Sequence, residues 1–152
     1  MKKTRNYLKR DFKKDRSNDI FTKKKRSTLM AKIRSKDTKL ERNFIAKLKK
    51  ATRKKFLTNV SVIKGKPDIV FLRDRVCVFI DSDFWHGWQY PRLKHLLKND
   101  FWREKIENNR RRDRRTTIYL RANGWFVLRF WEHQIGGEHE LKIAINKIKK
   151  QI

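Results

Sequence analysis

The chain has 152 residues, of which 43 are Lys or Arg and 16 are Asp or Glu, giving a formal charge of +27. That length allows one domain with a modest core. The charge calls for a polyanionic partner, a phosphate backbone before any other, to offset self-repulsion.

Residues 1–28 form a basic leader with scattered aromatics (Tyr7, Phe12, Phe21) and the cluster Lys23-Lys24-Lys25-Arg26. No hydrophobic period is sustained there, so a disordered arm binding DNA non-specifically is expected, with a plain solvated tail as the alternative. Residues 29–152 are expected to form a single domain. Thr38-Lys39-Leu40-Glu41 is a capping-box sequence, and Leu40, Phe44, Ile45 and Leu48 follow at helical spacing, which predicts a helix to about residue 50. Residues 55–62 read as a first strand and Lys64-Gly65-Lys66-Pro67 as a turn. Residues 68–72 and 75–80 read as two strands of a hairpin turning at Arg73-Asp74. Cys77, the single cysteine, sits in the second of these. It excludes an intrachain disulfide and a thiolate zinc cluster, and reads as a small buried hydrophobe.

A long charged helix is predicted over residues 100–122, stopped by Asn123-Gly124. A last strand over residues 125–131 follows, then a short amphipathic helix marked by Leu141, Ala144, Ile145 and Ile148. This order implies an α/β fold with a mixed central sheet flanked by helices. There is no run of about 18 apolar residues, no signal-peptide pattern and no lipidation motif. The expected location is therefore intracellular, cytoplasm or nucleoid, and not a membrane.

Several residues in this pattern carry chemistry. Asp68 follows Gly65-Lys66-Pro67 at the mouth of a strand, where a carboxylate either caps the turn or holds a hard divalent cation. In Ile80-Asp81-Ser82-Asp83-Phe84-Trp85-His86-Gly87 an apolar strand ends in two carboxylates, two large aromatics and a histidine. Phe84 and Trp85 are consecutive and cannot both enter one core from a strand, so either one ring projects to stack on bases or both pack under a loop. His86 is a structural histidine or a general base for water. On the long helix Trp102, Ile106, Asn109, Asp113 and Leu120 share one stripe. Asp113 then points inward and needs a partner, an arginine or His86. Arg103, Arg110, Arg111, Arg114 and Arg115 lie elsewhere on that helix and suit phosphate contacts. Glu41 either closes the capping box or reaches a metal site.

Taken together, Met30-Ala31-Lys32-Ile33-Arg34-Ser35-Lys36-Asp37-Thr38, Gly65-Lys66-Pro67-Asp68, Phe84-Trp85-His86-Gly87, Phe101-Trp102-Arg103-Glu104-Lys105-Ile106, Asn109 with Arg112-Asp113-Arg114-Arg115, Gly124-Trp125 and Trp131-Glu132 resemble the very-short-patch-repair (Vsr) DNA mismatch endonucleases, in order over about residues 27–135. The resemblance implies a restriction-endonuclease-like fold and a Mg²⁺-dependent nick in one strand, 5′ to the thymine of a T:G mismatch. It assigns metal binding to Asp68 and the main-chain oxygen of Ile80, water activation to His86 with Asp113 in support, and an acidic place near the active site to Glu41. It assigns intercalation to Phe84, Trp85 and Trp102, a minor-groove wedge to Met30, and base contacts to Lys105 and Asn109. The implied partner is double-stranded DNA carrying a T:G mismatch. A monomer is expected, with mismatch-repair proteins as candidate partners.

The sequence departs from the family pattern twice. Members with a structural zinc place Cys and His around the Phe-Trp-His block and after the last Trp-Glu, where this chain has Asp83, Trp88, Tyr90 and His133. Too few ligands remain for a closed site, so no zinc is expected. Asp81 stands where well-studied members carry a histidine beside the active site, and is a candidate extra metal ligand. The rival readings are a restriction or recombination nuclease of the same fold and a non-catalytic basic nucleic-acid-binding protein.

Overall fold

The computed structural model describes residues 38–96 and 100–152. The expected arm and Met30 lie outside this range. Helix α1 (Lys39–Ala51) starts at Thr38 with the capping box formed. The Glu41 N–H donates to Thr38 Oγ1 at 3.2 Å and the Thr38 N–H to Glu41 Oε2 at 3.3 Å.

Four strands lie side by side in chain order: β1 (Leu57–Thr58), β2 (Ile69–Phe71), β3 (Val76–Asp81) and β4 (Phe126–Trp131). The first three are antiparallel, and β4 runs parallel to β3 with Phe79 opposite Arg129 and Asp81 opposite Trp131. The hairpin turns at Arg73-Asp74, with the Arg75 N–H donating to Leu72 O at 3.3 Å. The first strand is much shorter than residues 55–62. Asn59 takes a left-handed backbone (φ 54°), which breaks the regular ladder. Val62 is 91% exposed, so continued pairing would bury nothing apolar there.

A short helix not foreseen in the sequence, α2 (Tyr90–Leu93), carries Pro91 in its first turn, where the missing N–H costs little. Helix α3 (Asp100–Ala122) covers the predicted span. It stops at Gly124 (φ 76°), and Arg75 clasps its end, Nε donating to Gly124 O at 3.0 Å and Nη2 to Asn123 O at 2.5 Å. Helix α4 (Glu138–Lys149) buries the four apolar residues read from the sequence.

Because strand side chains alternate, the sheet has two different faces. Ile69, Phe71, Val76, Val78 and Phe130 pack against Phe44 and Leu48 of α1 and the apolar stripe of α4. Each such side chain, fully buried, contributes about 1.5–3 kcal/mol. Val70, Cys77, Phe79 and Val127 point the other way, onto Leu120 of α3. Burial pushes the Cys77 thiol up to about 11. The layers are therefore α1 and α4, the sheet, then α3. Among the described residues no helix is long and apolar enough to cross a membrane.

Candidate active site

The α3 face changes character along its length. Stepping back along α3 from Leu120 at spacings of three and four come Thr116, Asp113, Asn109 and Ile106. Thr116, Asn109 and Ile106 are buried, and Asp113 is half-buried between them. Opposite them on β3, Cys77 and Phe79 give way to Asp81, only 4% exposed. The apolar core thus gives way to carboxylates where β3 ends, Asp81 buried and Asp113 half-buried.

Beyond Asp81 the chain turns back on itself, with the His86 N–H donating to Ser82 O at 3.1 Å. Gly87 has φ 68°, and a Cβ there would lie 2.6 Å from Ile106 Cγ2. A side chain at this position would strain the backbone and push α3 outward. Two donors on α3 hold the loop: Asn109 Nδ2 to Trp85 O and Arg110 Nη1 to Gly87 O, both at 2.8 Å.

This anchoring sets His86 Nδ1 2.5 Å from Asp113 Oδ2. Burial works against the Asp113 carboxylate. The hydrogen bond from His86 and the charges of His86, Arg129 and Arg112 outweigh it and hold its pKa below the ordinary value. An ionised Asp113 accepts, so the proton of this bond sits on Nδ1, and Nε2 is the ring nitrogen not taken up by the pair. Asp113 faces inward and meets both kinds of partner expected for it, His86 on Oδ2 and the arginines Arg112 and Arg129 near Oδ1.

Asp81 also approaches Nδ1, at 3.5 Å. Its two oxygens, however, face the guanidinium of Arg129, with Nε to Oδ2 at 2.7 Å and Nη2 to Oδ1 at 2.6 Å. The same Nη2 lies 3.4 Å from Asp113 Oδ1. Burial would make Arg129 easier to deprotonate, but its bonds and charges with Asp81, and the charges of Asp113 and Asp68, raise its pKa instead.

Arg129 was not singled out by sequence reasoning. Its signal was a lone charge inside the apolar strand Phe126-Val127-Leu128-Arg129-Phe130-Trp131, on the same face as buried Val127. Glu132, also passed over as a site residue, lines the same cleft. Burial raises its carboxyl against the hydrogen bonds from the Asp83 N–H and Ser82, and the nearby charges of Asp83 and Glu41 add to the rise.

A cleft of about 800 Å³ opens over this cluster, lined by Glu41, Asp68, Ile80, Asp81, Trp85, His86, Lys105, Asn109, Asp113 and Glu132 among others. Glu41 therefore serves the capping box and also borders the cleft. Asp68 Oδ2 accepts the Ile80 N–H at 2.7 Å. A strand residue's N–H and C=O point to the same edge, so the Ile80 carbonyl faces the side where Asp68 lies. These are oxygen donors, the set a hard divalent cation takes. Ligand atoms of Asp81, His86 and Asp113 also lie within 4.8 Å of one another, a spacing fit for a metal. In that trio Asp81 already has a cation, Arg129, on both oxygens.

Phe84, Trp85 and Trp102 gather into one half-exposed cluster. Ring centroids are 4.9 Å apart for Phe84–Trp85, 5.8 Å for Phe84–Trp102 and 5.6 Å for Trp85–Trp102. Trp102 also packs on Tyr90 and Ile106. Phe84 and Trp85 thus pack edge to face on one another and both remain half-exposed. Lys105 is exposed on the cleft, while Asn109 is buried with its amide already donating to the Trp85 carbonyl. At the positions noted for zinc, His133 Nδ1 lies 2.8 Å from Asp83 Oδ1 and Trp88 packs on both His133 and Trp131. Tyr90 donates its hydroxyl to Glu107 at 2.6 Å.

A carboxylate-oriented imidazole beside oxygen ligands, on so basic a chain, is the equipment of a phosphodiester hydrolase acting on nucleic acid. Comparison with known proteins makes that specific. The sequence profile of the family described as "DNA mismatch endonuclease Vsr" matches residues 18–92. A type II nicking enzyme of Neisseria meningitidis serogroup C is 40% identical over 119 residues, 77% of this chain and 80% of the relative. One from Haemophilus parainfluenzae is 39% identical over 116 residues, 74% of this chain and 82% of the relative. The DNA mismatch endonuclease Vsr of Escherichia coli is 33% identical over 124 residues, 81% of this chain and 79% of the relative. The chain belongs to the Vsr family; it is a DNA endonuclease with a restriction-endonuclease-like fold.

Proposed function

We propose that this endonuclease nicks one strand of duplex DNA 5′ to the thymine of a T:G mismatch, in a Mg²⁺-dependent hydrolysis that starts very short patch repair. The observation that carries the reading is the 2.5 Å His86–Asp113 pair on a cleft shared with Asp68 and rimmed by Trp85. Asp113 orients the imidazole and stabilises its protonated form as Nε2 takes a proton from water, whose oxygen attacks phosphorus; the P–O bond to the sugar oxygen on the other side breaks, and that oxygen leaves as a hydroxyl with a proton from solvent. Mg²⁺, held by Asp68 and the Ile80 carbonyl, would supply Lewis-acid stabilisation of the charge developing on the phosphate. Glu41 adds a further acidic group at the same mouth.

The mismatch preference is supported by the aromatic cluster. Opening a base step costs a few kcal/mol and is easiest where pairing is already poor. In this reading Phe84, Trp85 and Trp102 enter such a step, Lys105 and Asn109 touch the mismatched bases, and Met30 wedges in from the minor groove. The basic residues 1–28 add phosphate contacts that carry no sequence information. The relatives include both a mismatch endonuclease and nicking enzymes, which fits a single-strand cut. The protein acts as a monomer on intracellular DNA in this reading.

Single-turnover nicking of T:G and T:A duplexes, with Mg²⁺ and with EDTA, tests the proposal. One cut in the T strand of the T:G duplex, only with Mg²⁺, is expected. Equal cutting of T:A DNA would favour the restriction-type alternative. Asp68→Asn should stop cleavage and be rescued poorly by excess Mg²⁺; near-normal activity would remove Asp68 from the metal site.

A further inference from the structure

Two carboxylates compete for one imidazole proton in this site. Nδ1 of His86 has Asp113 Oδ2 at 2.5 Å and Asp81 Oδ1 at 3.5 Å. Only one acceptor can take the Nδ1–H in good geometry, and which one does sets the plane of the ring and the direction of Nε2. Asp81 is a buried carboxylate at the end of β3, and unpaired it would be the stronger claimant on any nearby donor.

Arg129 resolves the competition. Its fork engages both Asp81 oxygens, a bidentate geometry that fixes the carboxylate's orientation and holds Oδ1 3.5 Å from the ring, beyond good hydrogen-bond distance. The guanidinium is itself fixed. It lies over the Phe79 ring at 4.6 Å, and Nη1 reaches Thr117 Oγ1 at 3.4 Å. The parallel register puts Phe79 directly across from Arg129 and Asp81 two residues on, on the same face of β3. All of Arg129's contacts are therefore dictated by strand pairing and the packing of α3.

We infer that Arg129 is a positioning residue for the nicking reaction: by clamping Asp81 it reserves the His86 Nδ1 proton for Asp113 and so aims Nε2 at the water. Asp81 serves the guanidinium in this arrangement and not a metal ion. The inference rests on His86 being the water-activating base.

Physical chemistry separates the variants. Removing one member of a buried ion pair strands the other charge, whereas replacing both by neutral groups is often tolerated. Arg129→Leu should lower the single-turnover nicking rate on T:G duplex by about 10–100-fold, the usual loss for a partner that orients a reactive histidine, with DNA affinity within about threefold. Asp81→Asn combined with Arg129→Leu should recover most of that loss, because the competing charge is gone. Arg129→Lys, which keeps the charge but loses the fork, should fall between wild type and Arg129→Leu.

The second readout needs neither DNA nor metal. In the free wild-type protein, proton NMR should show the strongly deshielded Nδ1–H of a short N–H···O contact, absent in His86→Gln. It should move upfield or broaden in Arg129→Leu and return in the double variant. A wild-type rate in Arg129→Leu with the resonance unmoved overturns the inference. So does a double variant no better than the single one, or rate, affinity and melting temperature all falling together. If Arg129→Leu does not fold, Arg129→Lys and the double variant decide the same question. If wild type fails to nick T:G DNA, the proposed function fails, while the resonance still reports whether Arg129 directs the proton.

Discussion

The two faces of the one sheet are built from adjacent residues of the same strands, yet they hold opposite kinds of side chain. Toward α1 and α4, β3 presents Val76 and Val78, and β4 presents Phe130, all sealed in an apolar layer. Toward α3, the same strands present Cys77 and Phe79, then Asp81, and Val127, then Arg129. A period of two lets one segment specify a stabilising face and a reactive one without conflict. The first face is apolar and sealed, while the second carries a buried Asp81 and half-buried Asp113 and Arg129 at the cleft.

If this division is right, substitutions on the two faces have separable effects. The largest concerns His86. Its replacement by Ala should lower nicking by about 10²–10⁴-fold, the range for a positioned general base, while DNA affinity changes only a few-fold. A loss of binding as large as the loss of rate would make His86 structural and erase the distinction between the faces.

Phe44→Ala, on the opposite face, should cost about 3–5 kcal/mol of stability, read from denaturant unfolding, and leave the nicking rate per folded molecule unchanged. Trp85→Ala and Trp102→Ala test the rim of the reactive face. Each should weaken T:G binding by about 1–3 kcal/mol and matched-duplex binding by less. A large fall in melting temperature with equal losses on both DNAs would instead assign these rings to the core. Glu41, in the first turn of α1, borders the cleft. Glu41→Gln keeps the capping box, which accepts Gln in that place, so melting should be unchanged. Nicking should fall modestly, and an unaltered rate would leave Glu41 the helix cap alone.

What was legible in the sequence is what neighbouring residues encode. The capping box at Thr38 and Glu41, the full span of α3 and the apolar stripe of α4 follow from periods and end signals within one segment. Even Asp113 was marked as inward-facing by its place between Ile106 and Leu120. What escaped depends on partners far along the chain. Arg129 meets Asp81 across 48 residues, and only parallel pairing of β3 with β4 brings them together. The first strand shrank because its apolar pattern had nothing to cover at Val62, a matter of packing and not of propensity. Residues 90–96 had no strong period, and Tyr90 of their short helix packs against Ile106 of α3.

Cys77 has a practical consequence. It is the single cysteine in the chain, fully buried between strands, with a thiol pushed up to about 11. At neutral pH it supplies almost no thiolate and no access for a reagent. The protein can therefore be handled as if it had no cysteine. A thiol introduced at Met30 or in the basic leader would take a maleimide dye alone, without first removing a native site. Fluorescence from that one label would then follow the N-terminal segment on matched and mismatched DNA.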